Sequence, residues 1–375
     1  METHLKKFSV LLALALLCIS LQAEGIDAPK GKQIPDIPGY YTLKCDFHMH
    51  TVFSDGKVWP TVRVDEAIQE GLDAIALTDH IGKGKPDTDV IKNVDRAYEI
   101  AKESLENSEL ILIRGGEITF GTPPGHSNAL FLIEVQKLVT NDSKVAFSEA
   151  KKQDAFFFWN HSNWKSPNSK WEQDGIAIWF DEHTELLNDG LMMGMEIVNG
   201  QFYNLEAHKW CLEKNLTMMA NSDIHQPITF EYNLDTEHRP LTLVFAKERT
   251  AEGIKEALKE RRTAVWFEDN IIGKEEFLTP VFQESVRVEK VSYHEKIAEV
   301  VLKNESAVDF ILENAGEYSF LNKTRVMTLK AGEELRLGVK TAEILEQFQL
   351  KFKVLNMLIT PEDYLLVEIN CKTDK

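Results

Sequence analysis

Cysteine is scarce in this chain, since its 375 residues include only four. Cys18, Cys45, Cys211 and Cys371 are scattered, and their spacing forms no paired pattern. Small exported domains that depend on disulfides carry many closely spaced cysteines instead. The sequence therefore argues against a disulfide framework, and we expect stability to come from the packing of a sizeable core.

Positive charge is also in short supply. The chain has 42 Lys and Arg against 60 Asp and Glu, which gives a formal net charge of −18 and a pI near 5.1. Proteins that hold duplex nucleic acid neutralise its phosphates with clustered basic side chains. This composition argues against a protein that binds duplex nucleic acid.

Long apolar runs are absent after the first 21 residues, so no later segment is expected to span a membrane. The start of the chain combines two lysines, an apolar run over residues 8–21 and the small residue Ala23. This pattern predicts a signal peptide over 1–23 and an exported protein, which is periplasmic in a Gram-negative cell. An uncleaved anchor and lipid attachment at Cys18 are the alternatives; the leucine before Cys18 disfavours the second.

The middle of the chain alternates short apolar runs with amphipathic segments. Strand alternating with helix predicts a parallel sheet buried on both faces, and the number of units favours a barrel over a small open sheet. The apolar runs occupy 72–77, 110–113, 129–133, 155–159, 193–198, 216–220 and 241–245, and helical candidates occupy 62–70, 90–106, 205–214 and 251–261.

The last hundred or so residues have a different pattern, in which short segments alternate apolar and polar positions. Such a pattern is typical of an all-β sandwich. We therefore predict an α/β barrel over residues 24–272 and a small β-sandwich-like domain over residues 273–375.

Candidate metal ligands recur at the predicted strand ends of the barrel. "DFHMHTVFSDG" places His48 and His50 after the first strand and Asp55 in the loop that follows. Catalytic side chains of such barrels lie at the carboxyl ends of the strands. The other members of the pattern are His80, Glu117, His126, His161, Asp223 and His225.

These side chains favour a metal site. Imidazole and carboxylate bind borderline divalent metals, and His-x-His in an extended segment projects both rings to one face. Any one of them has a simpler interpretation as a capping or hydrogen-bonding group. Their recurrence at successive strand ends argues for a shared site.

The same motifs resemble the PHP (polymerase and histidinol phosphatase) family of metal-dependent phosphoesterases. "DFHMHTVFSDG", "LTDH", "GGEITF" with Gly125-His126, and "NSDIH" are similar to the four family motifs in order, over roughly residues 43–267. The resemblance implies a distorted (β/α)7 barrel with a trinuclear metal site. It also implies that its ligands are His48, His50, Asp55, His80, Glu117, His126, His161, Asp223 and His225.

This ligand set fits two or three ions that share a carboxylate such as Glu117. Six histidines favour zinc, manganese or iron over magnesium. We expect a metal-bound hydroxide to attack a phosphate ester, so that no Ser or Cys nucleophile is needed. The candidate catalytic carboxylates are Glu117, Asp223 and Asp79, with Asp79 either orienting a histidine or donating a proton.

Substrate contacts are harder to predict from the sequence. The candidates for binding the phosphate are His183, His238 and Arg239, although a salt bridge explains Arg239 equally well. Four tryptophans in loops near the motifs either wall a pocket for an apolar ester group or pack as ordinary loop residues. They are Trp59, Trp164, Trp171 and Trp179.

The favoured function is hydrolysis of a small-molecule phosphodiester. The alternatives are a phosphomonoesterase of the same family, an amidohydrolase-type metallohydrolase, and a metal-stabilised binding protein without catalysis. The sequence identifies no protein partner.

Overall fold

The structure, a computed structural model, describes residues 33–81, 93–106, 108–164 and 176–374. The predicted signal segment 1–23 lies outside these ranges. Among the described residues, no helix has the length and apolarity that a membrane crossing requires.

The barrel region is built from twelve strands of the described chain. They are β1 (Tyr41–Asp46), β2 (Ala74–Leu77), β3 (His80–Ile81), β4 (Ile111–Ile118), β5 (Ser127–Leu130), β6 (Phe156–Trp159), β7 (Met192–Asn199), β8 (Phe202–Tyr203), β9 (Thr217–Asn221), β10 (Leu241–Ala246), β11 (Thr263–Phe267) and β12 (Asn270–Gly273).

Helices of the described chain connect these strands. They are α1 (Pro60–Glu70), α2 (Asp95–Glu103), α3 (Ser143–Lys152), α4 (Asp181–Asn188), α5 (Leu205–Glu213), α6 (Ala251–Lys259) and α7 (Glu275–Ser285).

Local chemistry explains where several of these helices begin and end. α1 starts with Pro60, whose fixed φ suits a first helical residue, and ends at Gly71 in the left-handed region (φ 67°). The side chains of Asp142, Asn204 and Thr250 accept backbone N–H bonds at the starts of α3, α5 and α6.

Parallel pairing of β1 with β2, β2 with β4, β6 with β7 and β7 with β9 confirms the predicted barrel architecture. The sheet departs from an all-parallel pattern at β5, which runs antiparallel to both neighbours, and at β10, which is antiparallel to β1 and β11. The connection from β4 to β5 is too short for a crossover helix, which forces the antiparallel turn.

Side-chain hydroxyls close the barrel where β9 lies beside β10 and β11. Thr242 Oγ1 accepts from the N–H of Ala220 at 2.9 Å and donates to its carbonyl at 2.8 Å. Thr263 Oγ1 donates to the carbonyl of Met218 at 2.9 Å. These bonds satisfy strand groups that would otherwise be buried without partners.

The C-terminal part is all-β, as predicted. β13 (Val286–His294), β14 (Ile297–Asn304), β18 (Glu334–Lys340) and β16 (Ser319–Phe320) form one sheet, and β17 (Val326–Leu329), β15 (Phe310–Asn314), β19 (Gln347–Leu358) and β20 (Tyr364–Lys372) form the other. β20 alternates buried and exposed residues, as expected for a strand with one face on a core.

The second of these sheets continues into the barrel. β12 pairs in parallel with β19, with Ile271 opposite Met357 and Ile272 opposite Leu358. The predicted boundary between residues 272 and 273 falls inside β12, and it stays a prediction.

Candidate metal centre

His48 and His50 extend the first barrel strand. The apolar neighbours Phe47 and Met49 are fully buried in the core, so the two histidines project together to the opposite side. The N–H of His50 donates to the carbonyl of Ile224 at 3.0 Å, which ties this segment to the end of β9. A Cβ at Gly56 would lie 2.5 Å from the carbonyl carbon of His50, so the Asp55 loop closes tightly on the strand end.

The structure brings all nine predicted ligands together. Their ligating atoms form four groups, within each of which the atoms lie no more than 4.8 Å apart. The groups are His50, Asp55, His80 and His225; His48, His50 and Asp223; His48, Glu117 and His161; and His80, Glu117 and His126. Because the groups share members, they form one continuous cluster.

Glu117 lies at the centre of this cluster. Its Oε1 is 3.0 Å from Nδ1 of His126, 3.2 Å from Nε2 of His161 and 3.5 Å from Nε2 of His48. Its Oε2 is 3.7 Å from Nε2 of His50 and also contacts His80. The carboxylate is therefore placed to be shared between neighbouring ions.

Asp223 and Asp55 complete the carboxylate set. Oδ1 of Asp223 is 3.0 Å from Nε2 of His50 and 3.2 Å from Nε2 of His48. Oδ1 of Asp55 is 3.1 Å from Nε2 of His225. The two Nε2 atoms of His48 and His50 are themselves only 3.2 Å apart.

The residues fit divalent metal ions. Oδ1 of Asp55, Oε2 of Glu117 and Oδ1 of Asp223 are buried, and the groups that they face are imidazole nitrogens of the other candidate ligands. Buried polar atoms normally have partners, and lone pairs of several such atoms converge only where a cation can satisfy them. Six imidazoles and three carboxylates are a donor set for borderline divalent metals.

Comparisons with known proteins agree with this geometry. A PHP domain model matches residues 46–188, and an Ig-like domain model matches residues 286–370. A solved two-domain protein of Bacteroides vulgatus ATCC 8482, which contains a predicted PHP-like metal-dependent phosphoesterase, is 42% identical. The match covers 92% of this chain and 100% of that one, with a TM-score of 0.84. The chain belongs to the PHP family.

Two other similarities are weaker. A histidinol phosphate phosphatase from Lactococcus lactis, solved with zinc, L-histidinol and phosphate, is 14% identical over 58% of this chain and 93% of its own, with a TM-score of 0.30. That likeness is too slight to assign a role to any residue. An uncharacterised protein of Methanocaldococcus jannaschii is 39% identical over 83 residues, which is 22% of this chain. The chain spans about a third (36%) of the length of that curated relative.

Burial and neighbouring charges shift the pKa values of the residues in this cluster. Burial and the neighbouring charge of His80 lower the pKa of His50 to about 3. Burial disfavours the charged form of His80 as well, but the Glu117 and Asp55 carboxylates outweigh it and raise the pKa of His80 to about 10. Burial acts to raise the pKa of Asp223, yet His48 and His50 hold it below its usual range.

Two predicted ligands of the cluster lie in the left-handed backbone region, which few residues other than glycine adopt. His161 has φ 22° and Asp223 has φ 52°. Hydrogen bonds hold both: the N–H of Asp223 donates to the carbonyl of His48 at 2.8 Å, and the N–H of His161 donates to Oε2 of Glu196 at 2.9 Å.

A second layer of polar side chains surrounds the ligands. Glu196 and Asn199, in the last part of β7, lie there: Glu196 contacts His48, and Asn199 donates to Glu196 and Asp223. Asn160, Thr119 and Ser54 were missed by sequence reasoning: Asn160 donates to Glu117 Oε1 at 3.0 Å, Thr119 bonds His80, and Ser54 bonds His50. Asn160 directly precedes His161, and Thr119 lies two positions after Glu117. This closeness to predicted ligands in the sequence could have identified both residues.

Asp79 contacts the cluster indirectly. Its Oδ1 accepts from the N–H of Thr51 at 2.7 Å and from Ser54 Oγ at 2.6 Å, and its Oδ2 accepts from Thr51 Oγ1 at 2.7 Å. Ser54 Oγ in turn lies 3.2 Å from Nδ1 of His50. Asp79 therefore orients His50 through Ser54.

Arg239 is not a substrate contact, which corrects one of the sequence interpretations. It is fully buried, and its guanidinium donates to Asp46 Oδ2 at 2.9 Å and to both oxygens of Glu70. Its charge is engaged by these two carboxylates, as the salt-bridge interpretation of the sequence expects.

His183 and His238 are likewise occupied elsewhere. His183 is fully buried, stacks on Trp159 at 3.7 Å and bonds the carbonyl of Pro124 through Nε2 at 2.8 Å. His238 bonds the carbonyls of Arg239 and Glu268 and packs on Trp266 at 4.1 Å. The structure does not bring these two imidazoles into the cluster; backbone carbonyls and indole rings contact them instead.

The tryptophans divide into two kinds. Trp164 lies against the PHP cluster, 4.9 Å from the ring of His126 and 5.4 Å from that of His161. Trp59 is 45% exposed before α1 and contacts Phe53 of the Asp55 loop. Trp179 packs instead against Trp159 and Trp210, away from the ligands. Trp171 lies outside the described residues.

Proposed function

We propose that the protein hydrolyses phosphate esters at a trinuclear metal site, with small-molecule phosphodiesters as the favoured substrates. The observation that carries this proposal is the convergence of nine His, Asp and Glu side chains, in which three buried carboxylate oxygens face imidazole nitrogens. The resemblance of the first residues to a signal peptide supports export, to the periplasm in a Gram-negative cell.

Bound ions would polarise the phosphoryl oxygens, offset the charge that develops on the leaving oxygen and activate water. The chain's own residues would hold these ions in position. Glu117 and Asp223 each face several imidazoles and so would keep neighbouring ions close together. His48 and His50 are fully buried, which keeps their ring orientation fixed and bulk water away from that side of the site.

The diester preference rests on what surrounds the cluster. The phosphate-binding candidates Arg239, His183 and His238 are engaged elsewhere, so none of them provides a positive charge for the dianion of a monoester. A diester carries one negative charge less at neutral pH. Trp164, in contact with two of the ligands, offers an apolar surface for an organic ester group.

The nature of the donors favours particular ions. Six imidazoles are better suited to zinc, manganese or iron than to magnesium, which prefers oxygen ligands. We therefore expect purified protein to carry two to three transition metal ions per chain.

The test compares hydrolysis of bis(p-nitrophenyl) phosphate with that of p-nitrophenyl phosphate by mature protein of measured metal content. His50→Ala should lose metal and diester turnover, whereas His294→Ala, which removes an exposed imidazole of β13, should retain both. About three bound ions with turnover of neither ester would refute phosphoester hydrolysis and redirect the search to another bond, such as an amide. Faster turnover of the monoester would refute the diester preference alone.

A further inference from the structure

An aromatic ring borders the metal cluster on the side of β6. Trp164 remains 47% exposed although its ring lies 4.9 Å and 5.4 Å from those of His126 and His161. The backbone N–H of Trp164 donates to the carbonyl of His161 at 2.8 Å, so a tight turn keeps the two residues close together. A group bound at the cluster would therefore meet this indole.

A second exposed ring lies on the neighbouring strand pair. Phe202, 71% exposed, stands opposite Asn199 in the antiparallel pairing of β7 and β8. Directly opposed residues of an antiparallel pair project to the same face. The side chain of Asn199 donates to Asp223 Oδ2 at 3.2 Å, so it points towards the cluster. Phe202, opposite Asn199, therefore projects to the same side as the cluster.

A buried hydrogen bond joins the segment after β8 to the segment after β6. Asn204 Nδ2 donates to Ser162 Oγ at 3.0 Å, and both side chains are buried. Asn204 Oδ1 also accepts from the N–H of Ala207 at 3.0 Å, at the start of α5. This bond therefore holds together the two backbone segments on which Trp164 and Phe202 lie.

Large exposed aromatic rings forgo the stabilisation that burial would give them, and grouped exposed apolar side chains commonly mark a binding surface. We propose that Trp164 and Phe202 form a subsite for a planar, apolar ester group of the substrate. This inference rests on the proposed function, because the phosphate of the same molecule is what the cluster would hold. It narrows the substrates to phosphodiesters with at least one aryl or similarly flat substituent.

Non-hydrolysable diester mimics isolate this subsite from catalysis. Diphenylphosphinate and dimethylphosphinate carry the same single negative charge, and their P–C bonds are not cleaved. Calorimetry on metal-loaded protein should give a Kd about tenfold lower for the diphenyl compound, because its phenyl rings can pack on the two aromatic side chains and methyl groups cannot. Trp164→Ala and Phe202→Ala should each reduce that ratio, and Trp164→Phe should retain most of it.

Tyr41→Ala is the matched control, because Tyr41 is a 43% exposed aromatic residue at the opposite end of β1. It should leave the ratio of the two Kd values unchanged. Metal content measured on each variant separates a lost subsite from a lost ion. A ratio near one in the wild type, or one that neither substitution alters, overturns the subsite while bis(p-nitrophenyl) phosphate is still hydrolysed. Failure to bind either phosphinate, together with no diester turnover, overturns the proposed function itself.

Discussion

Glu196 Oε1 lies 2.8 Å from Nδ1 of His48, with both side chains buried. A carboxylate can only accept, so Nδ1 carries the proton of this bond and Nε2 of His48 keeps its lone pair for the cluster. Oε1 also accepts from Asn221 Nδ2 at 2.9 Å, and Oε2 accepts from the N–H of His161 and from Asn199 Nδ2, each at 2.9 Å. One side chain thus orients two predicted ligands.

Glu196→Gln should weaken metal binding without changing the shape of the side chain. The amide nitrogen is a donor, so it would face at least one of the four donors that Glu196 now satisfies. We expect the affinity for the most weakly held ion to fall about 10- to 100-fold, the range seen when groups that orient metal ligands are lost. Mass spectrometry of metal content after stepwise dialysis against a chelator measures this change.

Glu213→Gln, an exposed substitution at the end of α5, provides the control and should lose no metal. If Glu196→Gln kept its full metal content at every chelator concentration, Glu196 would have no orienting role.

The Asp79–Ser54–His50 chain makes a second prediction. Ser54→Ala removes the hydroxyl that connects Asp79 to His50. Both Ser54→Ala and Asp79→Asn should therefore lower the metal affinity, and Ser54→Ala should have the smaller effect. The same chelator titration measures both variants. If Asp79 were instead a direct proton donor, Asp79→Asn would change the pH profile of kcat at full metal content. Ser54→Ala would then change neither the metal affinity nor that profile.

The convergence of the nine candidate ligands could be predicted from the sequence, because simple geometry relates their positions in the sequence to their positions in the fold. Alternation along an extended strand places His48 and His50 on one face, and the carboxyl ends of barrel strands meet at one end of the fold. Those two rules do not depend on details of packing. They bring together Glu117 and Asp223 although 105 positions separate them in the numbering.

The outer contacts could not be predicted in the same way. Arg239 and His183 look like phosphate contacts in the sequence, but their roles depend on burial beside Glu70 and Trp159, which belong to distant segments. The antiparallel β5 was also missed, because a short apolar run does not reveal strand direction. Exposure likewise separates Trp164 from Trp179, which packs among other aromatic rings.

The buried ion pairs of Arg239 predict a stability effect. Arg239→Met would leave Asp46 and Glu70 buried without their cation, which typically costs about 3–5 kcal/mol. The free energy of unfolding from urea titration should fall by about that amount. Arg249→Met is the comparison, since Arg249 pairs with Asp73 at the surface and should contribute about 1 kcal/mol or less. A rise in KM with unchanged stability would restore the substrate-contact interpretation.

His208 predicts how stability depends on pH. This fully buried imidazole bonds the hydroxyl of Tyr203 through Nδ1 at 2.7 Å, and its Nε2 has no hydrogen-bond partner. Burial lowers its pKa to about 4, against the opposing charge of Glu362. Because the folded pKa lies below the unfolded value of about 6.5, protons bind preferentially to the unfolded chain.

The contribution of His208 is therefore complete above about pH 6.5 and is lost as the pH falls towards about 4, at roughly 1.4 kcal/mol per pH unit. His208→Gln can still accept from Tyr203 but does not titrate, so its unfolding free energy should fall less steeply over this interval. Comparing metal-free wild type with the variant cancels the titration of the ligands, which the two proteins share. His294→Gln, at an exposed position, should follow the wild-type curve; parallel curves for wild type and His208→Gln would show that His208 is already protonated in the folded protein.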